Sequence, residues 1–186
     1  MSQSPYSATK NAADQLAISY YKSFELPVKI VRPFNTYGPR QSSRAIIPTV
    51  ISQILSGKNE IQLGNLTPTR DLTYVLDTCQ GFFNIYNSDS LIGEATNIGM
   101  NSEISIGDLV VLIAKLVNSD ISIKSSKERI RPENSEVERL VCNNSKLLQH
   151  TSWSPKYTLE EGIIEVIEWM KNSDNLNMYK SEQYNV

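Results

Sequence analysis

An α/β fold is what this sequence predicts, and three observations carry the prediction. Segments with helical apolar spacing alternate with short runs of Val, Ile and Leu that are too brief for helices. Breakers such as Leu26-Pro27 and Ser56-Gly57 separate them. A turn-rich stretch, Arg32-Pro33-Phe34-Asn35-Thr36-Tyr37-Gly38-Pro39-Arg40, comes directly after one of the apolar runs. That places it at the carboxyl end of a strand, where ligands bind in α/β folds.

The elements can be taken in order. Ser4 can cap a helix whose first residue is Pro5, and the helix should run to about Phe24. Ala12, Ala13, Leu16, Ala17, Tyr20 and Tyr21 give it a broad apolar face. Val28 to Val31 reads as a short buried strand ending in the turn-rich loop. Ile46 to Leu55 is a second helix, closed by Ser56-Gly57. Ile61 to Leu63 is a short strand, and Arg70 to Val75 is extended before a helix to Tyr86. Glu94 to Ile98 is a strand stopped by Gly99. A helix from Ser105 through Leu116 has Asp108 near its positive end. Ile121 to Ile123 alternates as a strand. Asn144 to His150 is a short helix. Thr158-Leu159-Glu160-Glu161 is a capping box opening the last helix, through Met170. Trp153 and Trp169 are expected in the core. The polar tail from Asn172 is expected to be loosely held.

Composition narrows the function classes. The chain has 186 residues, 40% hydrophobic and 20% charged, ordinary proportions for a globular domain with its own core. A net charge of −2 without a basic stripe gives no footing for nucleic acid. No apolar run is long enough to span a bilayer, and Met1-Ser2-Gln3-Ser4-Pro5 has no apolar signal core. Cys79 and Cys142 lack CxxC spacing and read as reduced thiols, so a cytoplasmic location is expected. His150 is the one histidine, which disfavours a histidine metal site or a Ser-His-Asp triad; no metal is expected.

The chemistry-bearing pair is Tyr6 and Lys10. Four residues apart on a helix, they share one face. A free phenol is a poor base at neutral pH, but an ammonium one turn away favours the phenolate. Such a phenol can take a proton from an alcohol and return it. Tyr-x-x-x-Lys also arises by chance on exposed helices, so its weight comes from the motifs downstream of Lys10. Arg32 through Pro39 could be a plain rigid turn, although Asn35 and Tyr37 are not needed to make one. Arg70 could pair with Asp71 or Asp77 as a solvated ion pair, and Arg131 with Glu133.

Tyr6-x-x-x-Lys10, then Arg32 through Pro39, Arg70-Asp71, Asn97-Ile98-Gly99 and Arg131-Pro132, in this order, resemble the C-terminal half of an extended short-chain dehydrogenase/reductase. Within that family the chain is most similar to NAD-dependent nucleotide-sugar epimerases and dehydratases. The nearest resemblance is to UDP-N-acetylglucosamine 4,6-dehydratases of the legionaminic acid type. It implies the C-terminal part of a Rossmann-like NAD(P)-binding fold plus a small substrate-binding α/β subdomain. Residues 1–40 would be the remnant of the dinucleotide domain. Residues 41–186 would be mainly substrate-binding, with a returning Rossmann segment near 70–100. The family's glycine-rich loop, catalytic Ser/Thr and Asp-Glu pair have no counterpart in this sequence, so the chain is expected to be a fragment, a split-gene product or a deliberate truncation.

By that resemblance Tyr6 would be the acid/base on the sugar C4 hydroxyl, and Lys10 would assist it and hold the nicotinamide ribose. Pro33 and Phe34 would touch the nicotinamide. Asn35 would bond the diphosphate or sugar, and Arg70 and Arg131 would clamp the diphosphate with their planar forks. Pro48 would pack beside the uracil, a position core packing explains equally, and Asn97 would end a strand near the sugar. Arg40 is a weaker candidate, with a surface role open. The cofactor would be NAD. Three readings stand: a 4,6-dehydratase half inactive alone, with a 4-epimerase half as its alternative; a non-catalytic nucleotide-sugar-binding remnant; and an unrelated α/β interaction module. The last does not explain the ordered motifs. Homo-oligomerisation, or a separate partner carrying the N-terminal half, is expected.

Overall fold

The computed structural model describes residues 4–125 and 137–180. Helix α1 runs Pro5–Phe24, with Ser4 and Ser7 forming a reciprocal capping box and Pro5 at the first position. It ends at Glu25, whose φ of 55° is left-handed and whose N–H donates to the Tyr21 carbonyl. Next along the chain are strand β1 (Ile30–Pro33), β2 (Asn35–Tyr37), α2 (Ile46–Leu55), β3 (Glu60–Leu63), β4 (Thr69–Arg70), β5 (Leu72–Tyr74) and α3 (Val75–Asn87). After a 3-10 turn at Asp89–Leu91 come β6 (Ala95–Ile98), β7 (Ile104–Ser105), α4 (Ile106–Val117) and β8 (Ser122–Ser125). Beyond it lie β9 (Arg139–Leu140), α5 (Ser145–His150), α6 (Leu159–Lys171) and α7 (Ser173–Leu176).

Most strand pairs are parallel, as strands returned by helical crossovers must be. β1 pairs with β6, β2 with β5 and β3 with β8. β4 is the centre of a three-stranded sheet, antiparallel to β7 and parallel to β9. This pairing corrects two sequence expectations. The first strand starts at Ile30, not Val28, and runs through Pro33, because its register is set by residues 95–98. The stretch from Arg32 to Arg40 is not all loop, since residues 35–37 pair with β5.

The larger buried cluster lies where α2, α4 and α6 meet β2, β3 and β5. Ile47, Val50, Ile51, Leu109, Ile113, Ile163 and Met170 are fully buried there, each side chain contributing roughly 1.5–3 kcal/mol of transfer free energy. Gly162 allows α6 to approach β2: a Cβ there would collide with the Tyr37 hydroxyl oxygen. A second cluster joins Ile85, Leu91, Ile98, Leu147 and Trp153, with Val31 and Met100 against it.

Helix α1 has no buried residue. Its inner side, including Asp14, Ala17, Ile18 and Tyr21, is half-buried, while Leu16, Tyr20 and Phe24 stand exposed along one outer stripe. Arg32 ties it to β1 through a 2.7 Å ion pair with Asp14. Tyr21 packs on Gly93, whose φ of 77° and close approach both require glycine. Trp169 is half-buried and packs against the larger cluster. The tail expectation is corrected as far as residue 180, with 181–186 outside the described residues: Tyr179 meets Trp169 edge-on while donating its hydroxyl to the Gln41 carbonyl at 2.9 Å.

Candidate active site

The ladders bring several of the sequence-identified residues together. In the β1–β6 pair, Arg32 lies opposite Asn97 and Pro33 opposite Ile98. The Phe34 N–H extends that ladder by donating to the Ile98 carbonyl at 2.8 Å. Asn35 then lies opposite Leu72 in the β2–β5 pair, next to Arg70-Asp71. So Pro33, Phe34, Asn35, Asn97 and the Arg70-Asp71 step converge at the carboxyl ends of β1 and β6. The Asn35 amide nitrogen is buried and has no hydrogen-bond partner among the described residues. An unsatisfied buried donor costs about 1–3 kcal/mol, a cost shared by the buried Gln41, Thr73 and Thr96 oxygens.

Tyr6 and Lys10 sit on the first turns of α1, with the Lys10 ammonium 5.6 Å from the centre of the Tyr6 ring. Tyr6 is 71% exposed and Lys10 is exposed, so both groups are presented to whatever approaches this helix face. Asn97 donates to the Asn143 carbonyl at 3.3 Å, tying the end of β6 to the segment before α5. Arg70 donates to the carbonyls of Thr69 and Val137, at 2.8 and 2.7 Å. Pro48 is buried in the first turn of α2, in the packed layer. Arg40 has a left-handed φ of 67° and an exposed side chain. Arg131, Pro132 and Glu133 lie outside the described residues.

The geometry adds three carboxylates whose roles the sequence reading missed. Asp71 is fully buried and accepts the backbone N–H groups of Met100 at 2.8 Å, Cys142 at 3.0 Å and Ser102 at 3.4 Å. It joins the strand of Arg70 to the loop after Asn97 and to the chain after β9. Asp77 is buried and accepts from Lys156 and Tyr157 N–H, while its carbonyl receives the Trp153 indole. Neither is the solvated ion-pair partner pictured for Arg70. Glu103 accepts from Thr69 and bidentately from Arg139, bonds that hold its carboxyl below the usual carboxylate range. A carboxylate inside the extended run from Arg70 to Tyr74 was the one visible signal for Asp71; the partners of all three are remote in sequence.

Burial governs the other shifted groups. It pushes the Cys142 thiol up to about 12, helped by the Asp71 charge. It raises the Tyr37 phenol above its ordinary range, with Tyr74 and Asp77 adding to the effect. Among the described residues, no three His, Cys, Asp or Glu side chains cluster as a metal site, and no helix is long and apolar enough to cross a membrane.

Comparison with known proteins supplies the context. The family described as GDP-mannose 4,6 dehydratase matches residues 1–166. A dTDP-glucose 4,6-dehydratase of Xanthomonas campestris is 30% identical over 172 residues, covering 89% of this chain and 49% of the relative. The dTDP-glucose 4,6-dehydratase of Bacillus anthracis, solved in complex with NAD, superposes with a TM-score of 0.80 at 32% identity, over 92% of this chain and 53% of that one. The UDP-glucuronic acid 4-epimerase of Bacillus cereus, solved with UDP-glucuronic acid and NAD, gives 0.83 at 28% identity, over 92% and 54%. The chain thus spans about half the length of the curated relatives it matches. Its α/β fold is that of Rossmann-like extended short-chain dehydrogenases. With the match running through α6, the chain belongs to the GDP-mannose 4,6 dehydratase family of nucleotide-sugar-modifying extended short-chain dehydrogenases.

Proposed function

We propose that this chain is the substrate-facing half of an NAD-dependent nucleotide-sugar 4,6-dehydratase acting on UDP-N-acetylglucosamine. The observation that carries the reading is the convergence of Pro33 to Asn35, Asn97 and Arg70-Asp71, with the buried Asn35 amide left as an open donor. The UDP-N-acetylglucosamine assignment rests on the motif resemblance; the relatives' dTDP-glucose is the competing substrate. A 4-epimerase is the second reading, favoured by the likeness to the UDP-glucuronic acid 4-epimerase. In this reading residues 1–40 and the strand and helix near 70–100 belong to the dinucleotide side, and the rest mainly to the substrate side.

The residues present fit the nicotinamide end of NAD: an exposed phenol and ammonium share one helix face, and Pro33 presents a backbone without a donor beside Phe34. When bound, NAD supplies the hydride chemistry. Tyr6 takes the proton of the C4 hydroxyl and returns it. Lys10 presents its ammonium beside the Tyr6 ring and holds the ribose. Asn35 donates to the diphosphate or sugar, and Arg70 and Arg131 neutralise the diphosphate. Tyr6 and Lys10 serve dehydration and epimerisation alike. The outer stripe of α1, Leu16, Tyr20 and Phe24, is the surface for a second copy or a separate N-terminal-half chain.

The sequence contains no glycine-rich strand-to-helix turn to cradle a pyrophosphate, so the chain is expected to be inactive alone. Incubation with NAD and UDP-N-acetylglucosamine should give no 4-keto sugar; turnover at an ordinary enzyme rate would contradict this. In the complete enzyme, Tyr6→Phe should abolish product while leaving substrate affinity nearly unchanged. A near-native rate would assign the proton transfer to another residue.

A further inference from the structure

The sheet that carries Arg70 is fastened by one side chain outside the candidate site. Glu103 precedes β7, and its carboxylate accepts the Thr69 hydroxyl on β4 and the Arg139 guanidinium on β9. Arg139 grips it through both Nε and a terminal nitrogen, at 2.7–3.1 Å, a fork geometry that fixes orientation as well as distance. Thr69 and Arg139 are opposite each other in the parallel β4–β9 ladder. One carboxylate therefore fixes all three strands to one another.

Arg70 is the next residue along β4, and successive side chains leave a strand on opposite faces. Its guanidinium donates to the carbonyls of Thr69 and Val137. The Val137 carbonyl comes within reach because β9 is held in register, through the Thr69 N–H to Glu138 carbonyl bond at 2.8 Å and the Asp71 N–H to Leu140 carbonyl bond at 2.9 Å. Loosening β9 from β4 moves that carbonyl and weakens one of the bonds that orient the guanidinium. These two-residue strands have few ladder bonds of their own, so the Glu103 bonds add to the backbone pairs and the buried Asp71 carboxylate in holding β9 to β4.

We propose that Glu103 is a positioning residue for Arg70, setting its guanidinium for the diphosphate of the nucleotide sugar. This rests on the functional reading above, which assigns Arg70 to the diphosphate. Glu103 does not touch substrate itself; it acts by locking β4 to β9.

The test uses the full chain and two probes, UDP and uridine, which differ by the diphosphate. In Glu103→Ala the preference for UDP over uridine should fall about three- to tenfold, the scale of one or two lost hydrogen bonds, with uridine affinity unchanged. Glu103→Gln, which retains an acceptor for Thr69, should fall less. Exchanging the pair, Glu103→Arg with Arg139→Glu, should restore much of the preference. Equal weakening of UDP and uridine in Glu103→Ala would mean general damage and would overturn the proposal. A second readout is independent of the nucleotide: the Arg70 Nε–Hε signal in side-chain NMR should lose its order in Glu103→Ala and regain it in the exchanged pair. If the wild-type chain shows no preference for UDP over uridine, the diphosphate role of Arg70 fails. The Arg70 signal then still decides whether Glu103 positions it. An Arg70 signal unchanged by Glu103→Ala overturns the inference whatever the nucleotide does.

Discussion

Helices α4 and α6 of the packed layer and the single helix α1 begin alike and end in opposite states. α1 and α6 both open with a capping box, and α4 opens with the Ser105 side chain accepting the Asp108 N–H. Yet α4 and α6 bury Leu109, Ile113, Ile163 and Met170 completely, while α1 buries nothing and exposes Leu16, Tyr20 and Phe24. The contrast separates two sources of helicity. Local caps and spacing define where a helix is, but most of its stability in a protein comes from the apolar face it packs. It also separates two parts of the candidate site. Asn35, Asn97 and Arg70 are on paired strands, whereas Tyr6 and Lys10 stand on a helix with no buried residue.

The largest effect belongs to the packed side. Ile113→Ala should destabilise the chain by about 2–5 kcal/mol, the cost of a cavity in a core that cannot collapse. A urea titration reads it, and a loss under about 1 kcal/mol would mean the α2–α4–α6 layer is looser than drawn.

Next is the proposed nucleotide contact at Arg70. Arg70→Ala should weaken UDP binding by about 1.5–3 kcal/mol, the scale of a hydrogen bond to a charged group. Calorimetry showing unchanged UDP affinity would reduce Arg70 to a strand fastening on the Thr69 and Val137 carbonyls.

A smaller effect reports on the boundary between the two sides, where Cys142 lies against Gly99 and Asp71. Its folded thiol is raised from 9.0 to about 12, so the folded chain keeps a proton that the unfolded chain releases. The associated stability is complete below the unfolded thiol value and is lost as pH rises from there through the folded value. Urea midpoints should therefore fall as pH rises above about 9, and Cys142→Ala should flatten that fall without removing it, because the buried Tyr37 phenol acts in the same direction. An unchanged slope in Cys142→Ala would place the alkaline loss elsewhere.

The smallest effect is on α1. In the dilute chain Leu16→Ala should change stability by under about 0.5 kcal/mol, as for an exposed residue away from special contacts. A core-sized loss would show that the stripe is already covered.

Legibility in the sequence divides along the same line as the fold. Helix α1 was legible to the residue, because Ser4, Pro5 and the break at Leu26-Pro27 act locally. The box Thr158 to Glu161 was legible for the same reason. Strand limits were less so. β1 shifted from Val28–Val31 to Ile30–Pro33 because its partner at 95–98 sets the register, and β2 went unseen because residues 35–37 extend only against β5. The Tyr6, Asn35 and Arg70 candidates came from motif order, and the ladders account for how Asn35 and Arg70 come near each other. Asp71, Asp77 and Glu103 could not be placed, since a carboxylate gives no sign of whether it will meet water or a donor from 29 to 80 residues away. Polarity alone hides how the start of the tail is held, since Tyr179 anchors it to Trp169 and Gln41.

If the helix carrying Tyr6 and Lys10 is covered by another chain, as proposed, its outer stripe should drive self-association of this chain. Light scattering coupled to size-exclusion chromatography on the wild-type chain, at concentrations of tens of micromolar, tests it most directly. The account predicts a mass above that of one chain, falling to one chain when a charge is placed in the outer stripe by Tyr20→Glu. A monodisperse wild-type monomer that unfolds cooperatively, with α1 amides as protected from hydrogen exchange as those of α4, would contradict it.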